Sequence, residues 1–309
     1  MTVTGPAIGL DLGGTKIAAA LVAPDGTVLA RHTRPTPAAE GRDAVLDALA
    51  DAARSVDDGT GPSALGVAAA GVIDPVTGTV TSATDSIRGW AGTALAAGLA
   101  ARTGLPVACD NDVRATAAPE LAAAGAGASL VYAAIGTGVG GAVAVGGHMV
   151  HGTAGIAGHL GHVPSPEAEG LPCTCGGTGH LEAVASGPGI AALYGRVTGR
   201  PAERLETVAE RAASGEEPAV RAIVSGAVAA GRVLGGLANT LGPDRVVVGG
   251  GVPHIGPLYW DALTEAFTSE LMPPLARLRP SRPLFGADAA VIGAARLPSR
   301  VPLHAPPHS

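Results

Sequence analysis

Near its start the chain reads Ala7-Ile8-Gly9-Leu10-Asp11-Leu12-Gly13-Gly14-Thr15-Lys16-Ile17-Ala18-Ala19-Ala20-Leu21-Val22-Ala23. Residues 7–11 read as a short buried strand and 16–23 as a second, with an acid and two adjacent glycines at the turn. Adjacent glycines let backbone N–H groups approach phosphate oxygens without a Cβ in the way. Thr15 adds a hydroxyl donor and Lys16 a charge. Asp11, at the strand end, is placed to orient hydrated Mg²⁺ rather than to touch phosphate. No helix follows the turn, so it is neither a Walker loop nor a dinucleotide fingerprint. The plainer alternative is a tight glycine hairpin carrying an incidental acid.

Working outward, Pro24-Asp25-Gly26 turns the chain into a third strand over 27–34, completing a meander that opens an α/β domain. A helix over 42–56, a strand over 65–69, a hairpin turn at 74–78, a helix over 92–103 and a short strand over 106–109 follow. Then the opening pattern recurs. Residues 130–135 form a strand, Gly136-Thr137-Gly138 a turn, and 140–145 the returning strand. Duplicated strand–turn–strand units facing each other across a cleft make a natural nucleotide clamp, and matching positions strengthen two turns that are weak signals singly. A third run, Gly249-Gly250-Gly251 after the strand 245–248, is suited to lie flat beneath an adenosine. Its alternative is a glycine-rich strand-to-helix connection. Residues 186–241 are mostly helical, with loops marked by Gly199-Arg200-Pro201 and Ser214-Gly215.

Composition bounds the rest. At 309 residues two lobes are the default, and 47% apolar against 15% charged residues excludes a disordered protein. With aromatics at only 2%, the cores must be aliphatic. No apolar run approaches the ~20 unbroken residues of a membrane span, and no secretory signal precedes the first strand. Three cysteines make no disulfide framework. A soluble cytoplasmic protein without a membrane partner is expected. The net charge of -6 speaks against a nucleic-acid binder, and there is no room for a DNA-binding domain before the first turn.

Two further stretches carry chemistry. Asp110-Asn111-Asp112 follows the strand 106–109 and opens an Ala-rich helix. Asp112 there is either a helix cap or, at a strand's C-terminal end where α/β ligands gather, a base that takes a proton from an attacking hydroxyl. Asn111 offers both a donor and an acceptor to neighbouring hydroxyls. Cys109 beside them reads as a small buried side chain. The second stretch runs through His159-Leu160-Gly161-His162 and Cys173-Thr174-Cys175-Gly176-Gly177-Thr178-Gly179-His180-Leu181-Glu182. A thiolate pair one residue apart, flanked by imidazoles, could hold a metal and shape a loop around a small polar ligand.

Taken in order, these motifs resemble the ROK family of sugar kinases, within the actin-like, ribonuclease-H-like ATPase superfamily. The matching pieces are 11–16, Asn111-Asp112, 136–141, the Gly-rich run to His162, 173–182 and 249–251, spanning about 240 residues of the chain. The resemblance implies an α/β fold of two lobes closing on ATP, Mg²⁺ and a hexose whose 6-hydroxyl is phosphorylated. It places a small N-terminal lobe at 1–112, completed by a C-terminal helix at 288–298, a larger lobe at 113–287 and a flexible tail at 299–309. It implies Asp112 as the base, with Gly71, Asn111, His159, His162 and Glu182 on the sugar side. The nucleotide falls to Asp11, Gly13, Gly14, Thr15, Lys16, Gly136, Thr137, Gly138, Gly249, Gly250 and Gly251, and a homodimer is implied. Some family members are repressors with an added helix-turn-helix; a chain without one that keeps Asp112 reads as a kinase. A sugar-sensing regulator is the other class considered.

The departures from the family pattern are informative. Family zinc is held by one histidine and three cysteines; here His180 stands where the third cysteine should be. His162, Cys173, Cys175 and His180 would still give Cys₂His₂ ligation of a structural Zn²⁺, the alternative being a metal-free loop held by packing. Family glucokinases carry Glu where this chain has His159. In that position, and in 155–162 and 182–192, the chain resembles the family's bacterial N-acetylmannosamine kinases. A neutral imidazole both donates and accepts, which suits a 2-acetamido carbonyl. N-acetylglucosamine and glucose remain the runner-up sugars. The usual Asn-rich stretch is replaced at 82–90, rearranging contacts to sugar O3 and O4. Arg114 is either a surface charge on its helix or a residue that alters the cleft.

Overall fold

The expected opening meander forms as β1 (Ala7–Leu12), β2 (Lys16–Val22) and β3 (Val28–Pro35) in a computed structural model that describes residues 5–84, 86–201 and 204–305. After it come α1 (Arg42–Val56), β4 (Leu65–Ala69), the hairpin of β5 (Val72–Asp74) and β6 (Thr79–Ser82), α2 (Leu95–Thr103), β7 (Val107–Asn111) and α3 (Asp112–Ala124). The sheet order is β3-β2-β1-β4-β7, antiparallel through the meander and parallel from β1 onward. β4 and β7 are buried along their whole length, whereas β3 alternates between half-buried and exposed positions, as an edge strand with one face in water should.

The chain then builds a second unit from β8 (Leu130–Ile135), β9 (Val139–Val145), β10 (His148–Met149), α4 (Glu182–Ala185), α5 (Gly187–Thr198), α6 (Leu205–Ala213), α7 (Glu217–Leu241), β11 (Arg245–Gly249), α8 (Pro257–Glu270) and β12 (Pro280–Ser281). Its sheet order is β10-β9-β8-β11-β12. In both sheets the first strand sits centrally, with its antiparallel hairpin partners on one side and parallel strands on the other. The duplication expected at 7–23 and 130–145 is therefore a duplication of topology. The last helix, α9 (Ala289–Arg296), returns to the first unit. Gly9 and Gly66, paired across β1 and β4, leave the sheet flat beneath it. A Cβ at either would lie 1.9 or 1.8 Å from the carbonyls of Val291 and Ala294.

Unit boundaries differ from those expected. The first unit keeps α3 through Ala123 and also claims His151–Ala157, rather than ending at 112. The buried side chain of Arg114 bonds that segment to the start of α3. The second unit is Ala124–Val150 with Gly158–Leu284. The tail expected to be loose from 299 is tied down as far as His304, which exchanges two backbone hydrogen bonds with Val107 of 2.9 and 2.8 Å; the expectation for 306–309 lies outside the described residues. α2 starts at Leu95 rather than 92, because Gly92 turns to donate to the Val80 carbonyl. β7 runs two residues past 109 and so carries Asp110 and Asn111 itself.

The cores are aliphatic as composition requires. In the first, Trp90 is the one aromatic among side chains such as Leu10, Leu49 and Leu65; in the second, Tyr194, Tyr259 and Phe267 join valines and alanines. α7, at 25 residues, is long and apolar enough by length and mean hydropathy to cross a membrane, yet Arg221, Ser225 and Arg232 interrupt it, so it holds no unbroken apolar run of the kind the sequence was searched for. Half of that window is buried, and its Ala- and Gly-rich face packs on α8, α5 and α6, so it serves as the second unit's core helix.

Candidate active site

The first unit gathers three carboxylates at the C-terminal ends of its parallel strands. Register places Asp11 of β1 level with Ala68 of β4, and Ala68 level with Asp110 of β7. Asp112 follows at the first position of α3. The helix cap is chiefly Asn111, whose Oδ1 accepts from the N–H groups of Val113 and Arg114 at 3.0 and 3.3 Å. Its Nδ2 donates to the carbonyl of Gly71 at 3.0 Å and to Asp112 Oδ1 at 2.8 Å. Asp112 Oδ1 also accepts from Val113 N–H at 2.9 Å, so both of these bonds fall on one oxygen and leave Oδ2 to a ligand. Of the two alternatives on sequence, capping falls chiefly to Asn111 with a share taken by Asp112 Oδ1, which keeps Oδ2 open for a proton.

Electrostatics favour a proton-accepting role for this carboxylate. Burial pushes the Asp112 carboxyl above the usual range, against bonds from Val113 and Asn111 and the charge of Arg114 that pull it down. Asp11 is pushed up to about 6, first by burial and then by the charge of Asp112, with Lys16 opposing. Two neighbouring half-buried acids form a place where a divalent cation would be welcome. The turn between β1 and β2 is closed by Gly13 N–H to the Lys16 carbonyl at 3.0 Å and braced by Thr36 Oγ1, which donates to the Gly13 carbonyl at 2.8 Å. Thr15 and Lys16 stand exposed on it.

Arg114 is not the surface charge that its helix position allowed. It is 1% exposed, and its Nε donates to Asp110 Oδ1 at 2.7 Å. Its Nη1 donates to the carbonyls of Gly155 and Ala157 at 3.0 and 3.2 Å. Asp110, also buried, accepts from Asn111 N–H at 2.7 Å through that same Oδ1, while its Oδ2 meets His151 Nε2 at 2.9 Å. Sequence reasoning missed Asp110 and His151; the i,i+4 spacing of Asp110 and Arg114 was the available signal. In the replaced stretch 82–90, Ile87 and Trp90 enter the core and the hydroxyls of Thr84 and Ser86 lie 3.1 Å apart. Asp85 lies outside the described residues.

In the second unit, the turn 136–138, the N-terminus of α5, α6 and the loop after β11 surround a cavity of about 820 Å³. Its walls are largely apolar, with Pro188, Ala191, Leu205, Ala209 and Ile255 among them, and Gly136, Thr137 and Gly251 line it. Gly187 N–H donates to the Gly136 carbonyl at 2.8 Å, which seats the helix start against the turn. Of the three glycines 249–251, only Gly251 faces this cavity. Gly249 and Gly250 are demanded by packing on β8: Gly250 has φ +91° and a Cβ there would lie 2.2 Å from the Ile135 carbonyl.

The metal-type stretch closes on itself. Isolated bridges pair Pro164 with His180 and Pro172 with Thr178, so residues far apart in sequence return to one place. The donor atoms of His162, Cys173, Cys175 and His180 all lie within 4.8 Å of one another. Cys173 Sγ is 3.5 Å from His162 Nδ1, and Cys175 Sγ 3.2 Å from His180 Nδ1. Donors about 2.0–2.3 Å from a tetrahedral Zn²⁺ stand at comparable separations from each other, so the set fits that ion. His159 and His162 are three apart on a 3₁₀ turn, where side chains eclipse, and their rings stack at 6.4 Å between centroids. Glu182 Oε2 accepts from Val139 N–H at 2.9 Å and its Oε1 from the Thr174 hydroxyl, so this carboxylate joins the turn at 136–138 to the metal-type loop.

Comparison with known proteins bears on the chain as a whole. The sequence profile described as "ROK family" matches residues 7–301. A glucokinase of Thermotoga maritima is 31% identical over 94% of this chain and 96% of its own length. An N-acetylmannosamine kinase of Escherichia coli is 35% identical over 79% of this chain and 82% of its own length. Among solved structures, a hexokinase from Thermus thermophilus is 33% identical, with a TM-score of 0.84 over 94% of this chain and 96% of that one. The fold is the actin-like ATPase fold that the family resemblance implied.

Proposed function

This chain belongs to the ROK family, and we infer that it is a sugar kinase that transfers the γ-phosphoryl group of ATP to the 6-hydroxyl of an N-acetylhexosamine, N-acetylmannosamine first. The observation that carries the reading is Asp112, a deeply set carboxylate with one oxygen held by Asn111 and Val113 and the other left to a ligand. As the sugar oxygen attacks phosphorus, Asp112 Oδ2 takes the hydroxyl proton, and ADP leaves with the displaced oxygen. Asn111, fixed by the Gly71 carbonyl, orients neighbouring hydroxyls. The apolar cavity beside Gly136, Thr137 and Gly251 suits an adenosine, and the glycine turn at 136–138 that lines it offers N–H groups to its phosphates. Mg²⁺ near Asp11 would neutralise phosphate charge.

Zn²⁺, held by His162, Cys173, Cys175 and His180, would cross-link the loop that carries the sugar-side histidines; its contribution is structural. The preference for an acetamido sugar rests on His159, whose imidazole can donate to the acetyl carbonyl where a carboxylate could only accept. A cytoplasmic setting follows from the substrates. An ATP-coupled assay comparing N-acetylmannosamine, N-acetylglucosamine, glucose and mannose tests the reading. The highest kcat/KM is expected for N-acetylmannosamine. Glucose exceeding it tenfold would overturn the amino-sugar assignment, and no sugar-dependent ADP release at all would leave the regulator.

A further inference from the structure

A buried arginine is an unusual choice in an Ala-rich helix. Removing a guanidinium and a carboxylate from water is costly, and such pairs are commonly no more stabilising than apolar residues of similar volume. What the Arg114–Asp110 pair supplies is a fixed arrangement. From Arg114 Nε the chain of bonds runs to Asp110 Oδ1, from that same oxygen to the N–H of Asn111, and from Asn111 Nδ2 to Asp112 Oδ1. The guanidinium therefore reaches the base through one shared carboxylate oxygen. On its other side it grips Gly155 and Ala157, two carbonyls of the His151–Ala157 segment, and His151 closes the loop back to Asp110. Gly155 is held on the same unit from below: a Cβ on it would lie 2.7 Å from the Ile73 carbonyl. The segment continues directly into Gly158 and His159.

We propose that Arg114 and Asp110 are positioning residues that set the Asn111–Asp112 pair and hold the His151–Ala157 strap in one register with it. The proposal rests on the assignment of Asp112 as the base. Arg114 touches no substrate; it works through Asp110 on the pair and through two carbonyls on the strap. Only a planar fork can serve a carboxylate with one nitrogen and two carbonyls with another, so a lysine keeps the charge and loses the geometry.

The test uses Arg114→Lys and His151→Gln in the full chain, with sugar and ATP varied separately and with amide hydrogen exchange of residues 151–157 followed without substrate. Arg114→Lys is expected to lower kcat/KM for the sugar at least tenfold, to leave KM for ATP within twofold, and to speed exchange across the strap at least tenfold. A merely structural role would lower kcat for both substrates through lost folded enzyme, with both KM values unchanged, and that result overturns the proposal. If Arg114→Lys does not fold, His151→Gln decides: it leaves the buried pair intact, and faster exchange of the strap with a raised sugar KM is expected, whereas unchanged exchange refutes the clamp. Hydrogen exchange needs no turnover. A wild-type protein without sugar-dependent ADP release would therefore sink the kinase reading, while the exchange rates of the strap would still support or refute the clamp.

Discussion

Replacing Asp11 with Asn should stabilise the protein, and only above a definite pH. In the folded chain the Asp11 carboxyl is pushed from 3.8 to about 6 by burial and by the charge of Asp112. Well below pH 4 the acid is neutral in folded and unfolded chains alike and contributes nothing to the difference. As pH rises from 4 toward 6 the unfolded chain ionises first, so the folded state loses ground until Asp11 ionises there too. A displacement of roughly two pH units at about 1.4 kcal/mol each makes the loss about 3 kcal/mol, fully present at pH 8. Asn keeps the shape and carries no charge. Asp11→Asn should therefore gain about 2–3 kcal/mol in urea unfolding at pH 8 and almost nothing at pH 3.5. Because Asp112 is the second cause of the shift, the gain should shrink when the substitution is made on an Asp112→Asn background. The same penalty is what a cation bound near Asp11 would relieve, so the stabilised variant should lose Mg²⁺-dependent turnover. A gain that is equal at pH 3.5 and pH 8, or a loss at pH 8, would refute the electrostatic account.

Three other outcomes are expected. Asp112→Asn should lower kcat by ~10² or more while the sugar still binds in calorimetry, and near-normal turnover would remove Asp112 from its role. Chelator-washed protein should retain about one Zn²⁺ per chain, and Cys175→Ser should lose it; less than half an equivalent in the wild type would count against the metal. Ala209→Trp, filling the cavity beside α6, should raise KM for ATP about tenfold without changing that for the sugar; an unchanged KM would place the nucleotide elsewhere.

Much of the fold was legible because its signals are local. The strand–glycine turn–strand at β1 and β2 and its recurrence at β8 and β9 could be read from apolar runs and adjacent glycines, and both sheets place them in the same order. The four metal-type donors were likewise legible by residue type, and the structure brings all four together. Less could be read where side chains answer to distant backbone. At 249–251 three glycines looked alike, yet β8 claims two of them and the cavity the third. The membrane-length apolarity of α7 is explained only by the helices covering it.

Sequence alone determined the class, the duplicated turns, the candidate base and its amide neighbour, since each depends on residue types within a few positions of one another. Tertiary structure alone decided what Arg114 does and where the first unit ends. On an isolated helix an arginine points to water. Here Asp110, Gly155 and Ala157 converge on it, and only the folded chain brings partners 41 and 43 residues away to within hydrogen-bond reach.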